Sequence, residues 1–197
     1  MKKIGLLLLL LLQFGWLSAQ DFSKMTKKEG FVPFYLDEEK GKIYLEINSL
    51  NQELLYVNTL TSGIGSNDIG LDRGQLGETR VIEFRKAGNK ILMVHKNYDY
   101  RAYTKNAYEA KSIQDAFAES TLWGFEVVKT EGATYLVDAT NFYLQDVHGV
   151  SETLARSKQG NYKVDASRSV LYYPTTKNFP KNTEVEATIT LTGTGAG

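Results

Sequence analysis

FVPFYLDEEKGKIYLEI, residues 31–47, is the stretch on which the fold turns. Two apolar runs, 31–36 and 42–47, flank the turn-forming Asp37-Glu38-Glu39-Lys40-Gly41, and Ile43, Leu45 and Ile47 alternate with Tyr44 and Glu46. A period of two sends successive side chains to opposite faces of an extended chain, so this stretch is expected to form a β-hairpin.

The pattern recurs on the carboxyl side. Residues 53–60 read as a third strand, and 79–85 with 90–95 as a second hairpin around Ala87-Gly88-Asn89, where Gly and Asn tolerate the positive φ of a tight turn. Between them, residues 61–77 carry Gly63, Gly65, Gly70, Gly74 and Gly77 and are expected to form a long loop, ordered by Ile64, Ile69 and Leu71. Residues 125–129 and 134–138 suggest a third hairpin across Glu131-Gly132, and 167–173 and 184–191 the last strands.

One segment changes period. Ile113, Ala116, Phe117 and Ser120 fall at i, i+3, i+4 and i+7, which predicts an amphipathic helix over residues 107–121, closed by Gly124. A helical turn capped by Asn141 and ended by Gly149 is a further expectation. The fold class expected is α+β and β-rich: a mainly antiparallel sheet of about ten short strands with one amphipathic helix. Twelve Tyr and nine Phe against three Pro suit a pleated surface.

Residues 1–20 begin with Lys2 and Lys3, run apolar from Ile4 to Leu12, and reach the small pair Ser18 and Ala19. That is the layout of a cleavable secretory signal, and the break at Gln13 leaves the apolar run at about half the roughly 20 residues a membrane span needs. Export to a periplasmic or extracellular destination is expected, with no membrane span. Residues 21–30 read as a loose polar lead-in and 31–197 as a single β-rich domain. The chain has no cysteine, so neither a disulfide nor a lipidated cysteine is available. Residues 193–197 follow directly on a half-buried strand pattern, and a longer protein cut short before a further domain is expected.

Composition also restricts function. Without Lys2 and Lys3 there are 21 basic and 23 acidic residues, and no basic cluster of the kind that reads a phosphate backbone, so nucleic acid is not the expected partner. The two histidines, His95 and His148, are not in a metal-binding H-E-x-x-H spacing, and there is no G-x-S-x-G elbow. Neither a zinc centre nor a serine or cysteine nucleophile is expected here. Asp68 with Asp72, and Asp138 with Asp146, are the carboxylate pairs that a glycosidase-like mechanism could use, although loop carboxylates more often cap backbone N–H groups. Asn67, Asp68 and Asp72 lack the twelve-position frame of a calcium loop.

Four stretches together carry a resemblance: EGFVPFYLDEEKGKIYLEI (29–47), TSGIGSNDIGLDRGQLGETRVIEF (61–84), AFAESTLWGFEV (116–127) and VDASRSVLYYPTTKNFPKNTEVEATITL (164–191). They resemble the amino-terminal domain of unknown function that precedes a metzincin-like catalytic domain in large secreted bacterial zinc metallopeptidases. The resemblance implies a non-catalytic accessory role in folding, docking or substrate positioning, with the downstream catalytic domain as partner. It implies zinc only in that missing domain and no cofactor here.

Asn67, Asp68, Asp72, Arg73, Arg80, Asp165 and Arg168 are the candidate interface or structural residues, expected to pin the glycine-rich loop to the sheet through ion pairs and to present it to the downstream domain. Asp68 or Asp72 could serve there as a carboxylate latch on the zinc. The alternative reading is a free-standing binding module for polysaccharide or protein, which Tyr98, Tyr100 and Tyr103 would favour if they lined one surface.

Overall fold

The computed structural model describes residues 21–65 and 67–195. The expected signal segment lies outside the described residues. An eight-stranded antiparallel sheet dominates, in the order β1-β2-β3-β8-β7-β6-β5-β4. Its strands are β1 (Thr26–Lys28), β2 (Phe34–Asp37), β3 (Lys42–Ile47), β4 (Leu54–Tyr56), β5 (Arg80–Ala87), β6 (Lys90–His95), β7 (Ser120–Glu131) and β8 (Thr134–Asp138).

The hairpin expected over residues 31–47 is present, with Phe34 opposite Leu45 and Leu36 opposite Ile43. The chain thus lays down one meander, β1 to β3, and a second, β4 to β8. The two join where Leu45 faces Val137 across β3 and β8.

Alternation decides the faces. Phe34, Leu36, Ile43, Leu45, Ile47, Ile82, Phe84, Ile91, Met93, Phe125 and Val137 all enter one core on the inner side. Phe142, from the short helix α2 (Thr140–Tyr143), sits within it, its ring centroid 5.3 Å from Phe125, 5.9 Å from Trp123 and 5.9 Å from Tyr56. Contacts from β7 and from the edge strand β4 to the same ring mean that the sheet curls around it. Two bulges in β7, where Leu122 and Val128 are the extra residues, supply part of that bend. On the outer side Phe22 packs edge-on between Tyr35 and Tyr44, over Leu136.

Residues 150–195 cover one end of the inner face. They form α3 (Val150–Arg156), β9 (Asn161–Val164) and short paired strands β10 (Val170–Leu171), β11 (Lys177–Asn178), β12 (Thr183–Glu184), β13 (Ala187–Thr188) and β14 (Leu191–Thr194). Leu171 is their buried contribution to the core.

Several expectations are corrected. Residues 21–30 are no loose lead-in: a 3₁₀ turn at Phe22–Lys24 and strand β1 tie them to β2. The amphipathic helix, α1 (Ala107–Ala116), stops before Phe117, and Ser120 and Gly124 belong to β7. Its face is weak: Ile113 and Phe117 are half-buried, Ala116 and Ser120 exposed, and no residue of the helix is buried. Asn141 caps nothing. Asp138 accepts from Thr140 N at the start of α2, and Gly149, at φ +72°, begins α3 instead of ending a helix. The single strands expected at 167–173 and 184–191 are broken, because polar groups interrupt them: Ser169 and Thr176 are buried and bond Thr190 N, Asp165 O and Tyr172 O.

Candidate functional site

The glycine-rich stretch is the far end of the β4–β5 hairpin, built as an arm. Gly77 N donates to Asn58 O, Leu60 N to Gln75 O, Gly74 N to Leu60 O and Ile64 N to Leu71 O, and Thr59 bridges Leu76. These bonds hold two legs, 58–64 and 71–77, side by side. Gly63 is required there because a Cβ would stand 2.9 Å from Arg73 N and 3.0 Å from Leu71 O, a backbone approach that no side chain tolerates. Leu71 is buried and anchors the arm, while Ile69 is half-buried and Ile64 exposed. At the base Asn58 Nδ2 lies 3.0 Å from His148 Nδ1, linking the arm to the turn before α3.

This arm and β4 form one edge of the sheet, and that edge is apolar. Leu54 and Tyr56 pack against the core, so Leu55 between them points outward and is 75% exposed. Val57, just past β4, is 47% exposed, and Leu76, on the facing leg of the arm, is 64% exposed. The opposite edge, β1, carries Lys27 and Lys28, and Lys27 is engaged by Glu29 at 2.8 Å and Glu46 at 3.0 Å. Lysine on an edge strand discourages pairing with another chain, a safeguard that β4 lacks.

The candidate residues fall in separate places. Asp68 is exposed in a 3₁₀ turn at the arm's tip, and the side chain of the neighbouring Asn67 is outside the described residues. Asp72 is half-buried, with Oδ1 shielded from solvent and without a hydrogen-bond partner, and Arg73 is exposed. The expected ion pairs between these groups and the sheet are not the ones formed among the described residues. Arg80 pairs with Glu78, 2.6 Å away, and Arg168 with Asp165, 2.9 Å away in a local turn where Asp165 also accepts from Ser167 N. Neither pair reaches the arm. What does reach it is Glu186, whose Oε1 accepts from Thr61 Oγ1 at 2.8 Å.

The carboxylate pairs considered for hydrolysis are engaged in structure. Asp146 accepts from Val150 N at 2.8 Å and Ser151 N at 2.7 Å, closing the first turn of α3. Asp138 pairs with Lys42 at 2.9 Å; burial pushes its carboxyl up, but hydrogen bonds from Thr140 and Lys42 outweigh that and hold it below the ordinary carboxylate value. A hollow of about 460 Å³ is lined by Phe179, Pro180, Lys181, Asn182 and Glu184, none of them an aspartate of either pair. Among the described residues, no three His, Cys, Asp or Glu side chains are grouped to hold a metal ion. The aromatic run does not form a common platform: Tyr100 stacks on Phe117 with centroids 3.7 Å apart, Arg101 lies over Tyr98, and Tyr103 is almost wholly exposed.

The sequence reading missed a four-membered charge cluster on the outer face of β5 and β6. Arg85 bonds both Glu83 and Glu119, and Lys96 reaches Glu119 at 2.7 Å and Glu83 at 3.7 Å. Glu83 is buried. The Arg85 guanidinium, with help from Lys96 and against partial burial, holds Glu119 down at about 2. An alternating strand with a glutamate on its outer face was the available signal, but of the other members only Arg85 is on the same strand, with Lys96 at the end of β6 and Glu119 just before β7.

Compared with known proteins, residues 74–197 match the family model described as Domain of unknown function (DUF5117), over more than half of the chain. The chain belongs to this family. Residues 21–63 match a second model, Domain of unknown function (DUF5118). No curated protein and no solved structure gives a significant match. The DUF5117 segment supplies β5 to β14, and the DUF5118 segment supplies β1 to β4.

Proposed function

We propose that this chain is a non-catalytic accessory module of an exported zinc metallopeptidase, and that it docks on the downstream catalytic domain through β4 and the glycine-rich arm. The supporting observation is a set of exposed apolar side chains on β4 and the arm: Leu55 and Val57 stand in solvent at the open edge and Leu76 on the facing leg, with no lysine in residues 54–64 or 71–77 to guard them. Exposed apolar groups gathered on one edge mark an interaction surface, and an open strand offers main-chain pairing to a partner as well. The likeness of four stretches to the front of such peptidases supports a catalytic domain as the partner. The reading includes export by residues 1–20, with zinc and the catalytic glutamate carried by the partner domain.

The test uses the full-length gene product. Amides of residues 54–64 and 71–81 are compared by hydrogen exchange in this chain alone and in the full-length protein. Protection that appears only in the full-length protein, and is lost in Leu55→Asp/Leu76→Asp, is the expected result. Equal exchange in both, or a reading frame without a downstream H-E-x-x-H segment, removes the proposal. Tyr103 and Tyr108, 94% and 88% exposed, favour the rival reading of a free-standing binding module. In that case Tyr103→Ala/Tyr108→Ala would abolish retention on a polysaccharide that the unaltered chain binds.

A further inference from the structure

The two family models divide the chain inside the arm, with residues 64–73 in neither. Backbone pairing ignores that division. β3, from the first matched segment, pairs with β8 from Tyr44 opposite Asp138 to Ile47 opposite Tyr135. β4, also from the first segment, pairs with β5 at the other side, Leu55 facing Val81. The four-stranded meander β5 to β8 is therefore flanked on both sides by strands of residues 21–63.

We propose that residues 21–63 and 74–197 are the two interlocked parts of one folding unit. The first part is the binding partner for both edges of the meander, and the arm is a covalent tether that the assembled fold does not need.

Side chains follow the same rule. Phe34, Leu36, Ile43, Leu45 and Ile47 belong to one continuous core with Ile82, Phe84, Ile91, Met93, Phe125 and Val137. On the outer face Phe22 and Tyr44 close over Leu136. Contacts distant in sequence repeat the pattern. Val32 N donates to Thr183 Oγ1, Asn178 Nδ2 donates to Lys28 O and Val32 O, and Phe31 N donates to Phe179 O. Gly30 lies so close to the Asn178 side chain that a Cβ has no room there.

The tether is built differently. Its legs bond chiefly to one another, and Gly63, Ile64, Gly65, Asp68 and Gly70 are exposed. Cutting between Gly65 and Gly70 removes none of the residues of the main core.

The experiment places a site for a sequence-specific protease between Gly65 and Gly70 of the whole chain and cuts it to completion. The expected result is one native size-exclusion peak at the position of the uncut protein, containing both fragments, which separate only in denaturant. Fragments that part in native buffer overturn the proposal. A second measurement needs no insertion: in the unaltered chain, the slowest-exchanging amides of β2, β3, β6, β7 and β8 are expected to share one opening free energy and one dependence on denaturant. Two distinct opening events, split between 21–63 and 74–197, overturn it equally.

Discussion

Arg85 on β5 and Glu119 just before β7 form an ion pair, Nη1 to Oε2, of 2.6 Å, and Lys96 closes on the same carboxylate from the end of β6. The β5–β6 hairpin is thereby tied to the start of β7 on the outer face. The carboxyl sits at about 2 in the folded chain against 4.5 ordinarily, so the folded state binds its proton less readily than the unfolded state. Stability from this group is complete above about pH 4.5 and is lost as pH falls towards 2. Thermal unfolding between pH 5 and 2 should show Glu119→Gln losing less than the unaltered chain, by roughly 1–2 kcal/mol after screening at a partly exposed site.

Phe142 is the ring around which the sheet curls. Its replacement by alanine leaves Phe125, Trp123 and Tyr56 facing a void, at a cost of roughly 3–5 kcal/mol. Set against the roughly 5–15 kcal/mol that holds a domain together, this is a large fraction. A urea titration of Phe142→Ala is expected to show a much lower midpoint with an unchanged slope.

Asp146 satisfies two amides at the first turn of α3. Asp146→Ala should cost about 1 kcal/mol, up to about 2, as the loss of a helix cap does. Faster hydrogen exchange at Val150 and Ser151, with the sheet unaffected, checks it.

Gly63→Ala sets a methyl against two backbone atoms that cannot swing aside. The legs of the arm are expected to part locally, with the amides of Ile64 and Gly74 exchanging about tenfold faster. Global stability should stay within about 0.5 kcal/mol, since the arm lies at the surface.

The sheet was legible wherever apolar side chains recur at a spacing of two between turn residues. Residues 31–47 and 80–95 are bounded by turn residues and send Phe34, Leu36, Ile43, Leu45, Ile82, Phe84, Ile91 and Met93 to the inner core at a spacing of two, although Tyr44, Glu83 and Val94 are buried on the other face, and the structure has hairpins at both. Legibility failed where the period was shared or broken. Ile113 and Phe117 have helical spacing, and the same pattern running on to Ser120 hid the start of β7, because Thr121, Leu122 and Trp123 straddle a bulge. Gly149 was misread because a glycine at positive φ can precede a helix as well as end one. In the last third of the chain residues 184–191 do alternate, but Glu186 N and Thr190 N donate to the buried hydroxyls of Thr176 and Ser169, a pairing that hydropathy does not reveal.

The candidate site was legible as a place more than as a set of contacts. The glycines located the arm, but which charges meet depended on strands brought together from afar. Arg80 turned to Glu78 next door, and Arg85 found Glu119 thirty-four positions on.

The bulge at Val128 carries a consequence for how this chain tolerates change. Removing one residue from a strand ordinarily acts like a frameshift, sending every later side chain to the wrong face. Val128, like the other bulge residue Leu122, is an exception, because Val127 already stands opposite Val137 and Lys129 opposite Leu136, the next pair along. Its deletion would leave both assignments intact and straighten the strand. Val128 contributes curvature and no address, which makes it a natural place for a one-residue gap between related chains.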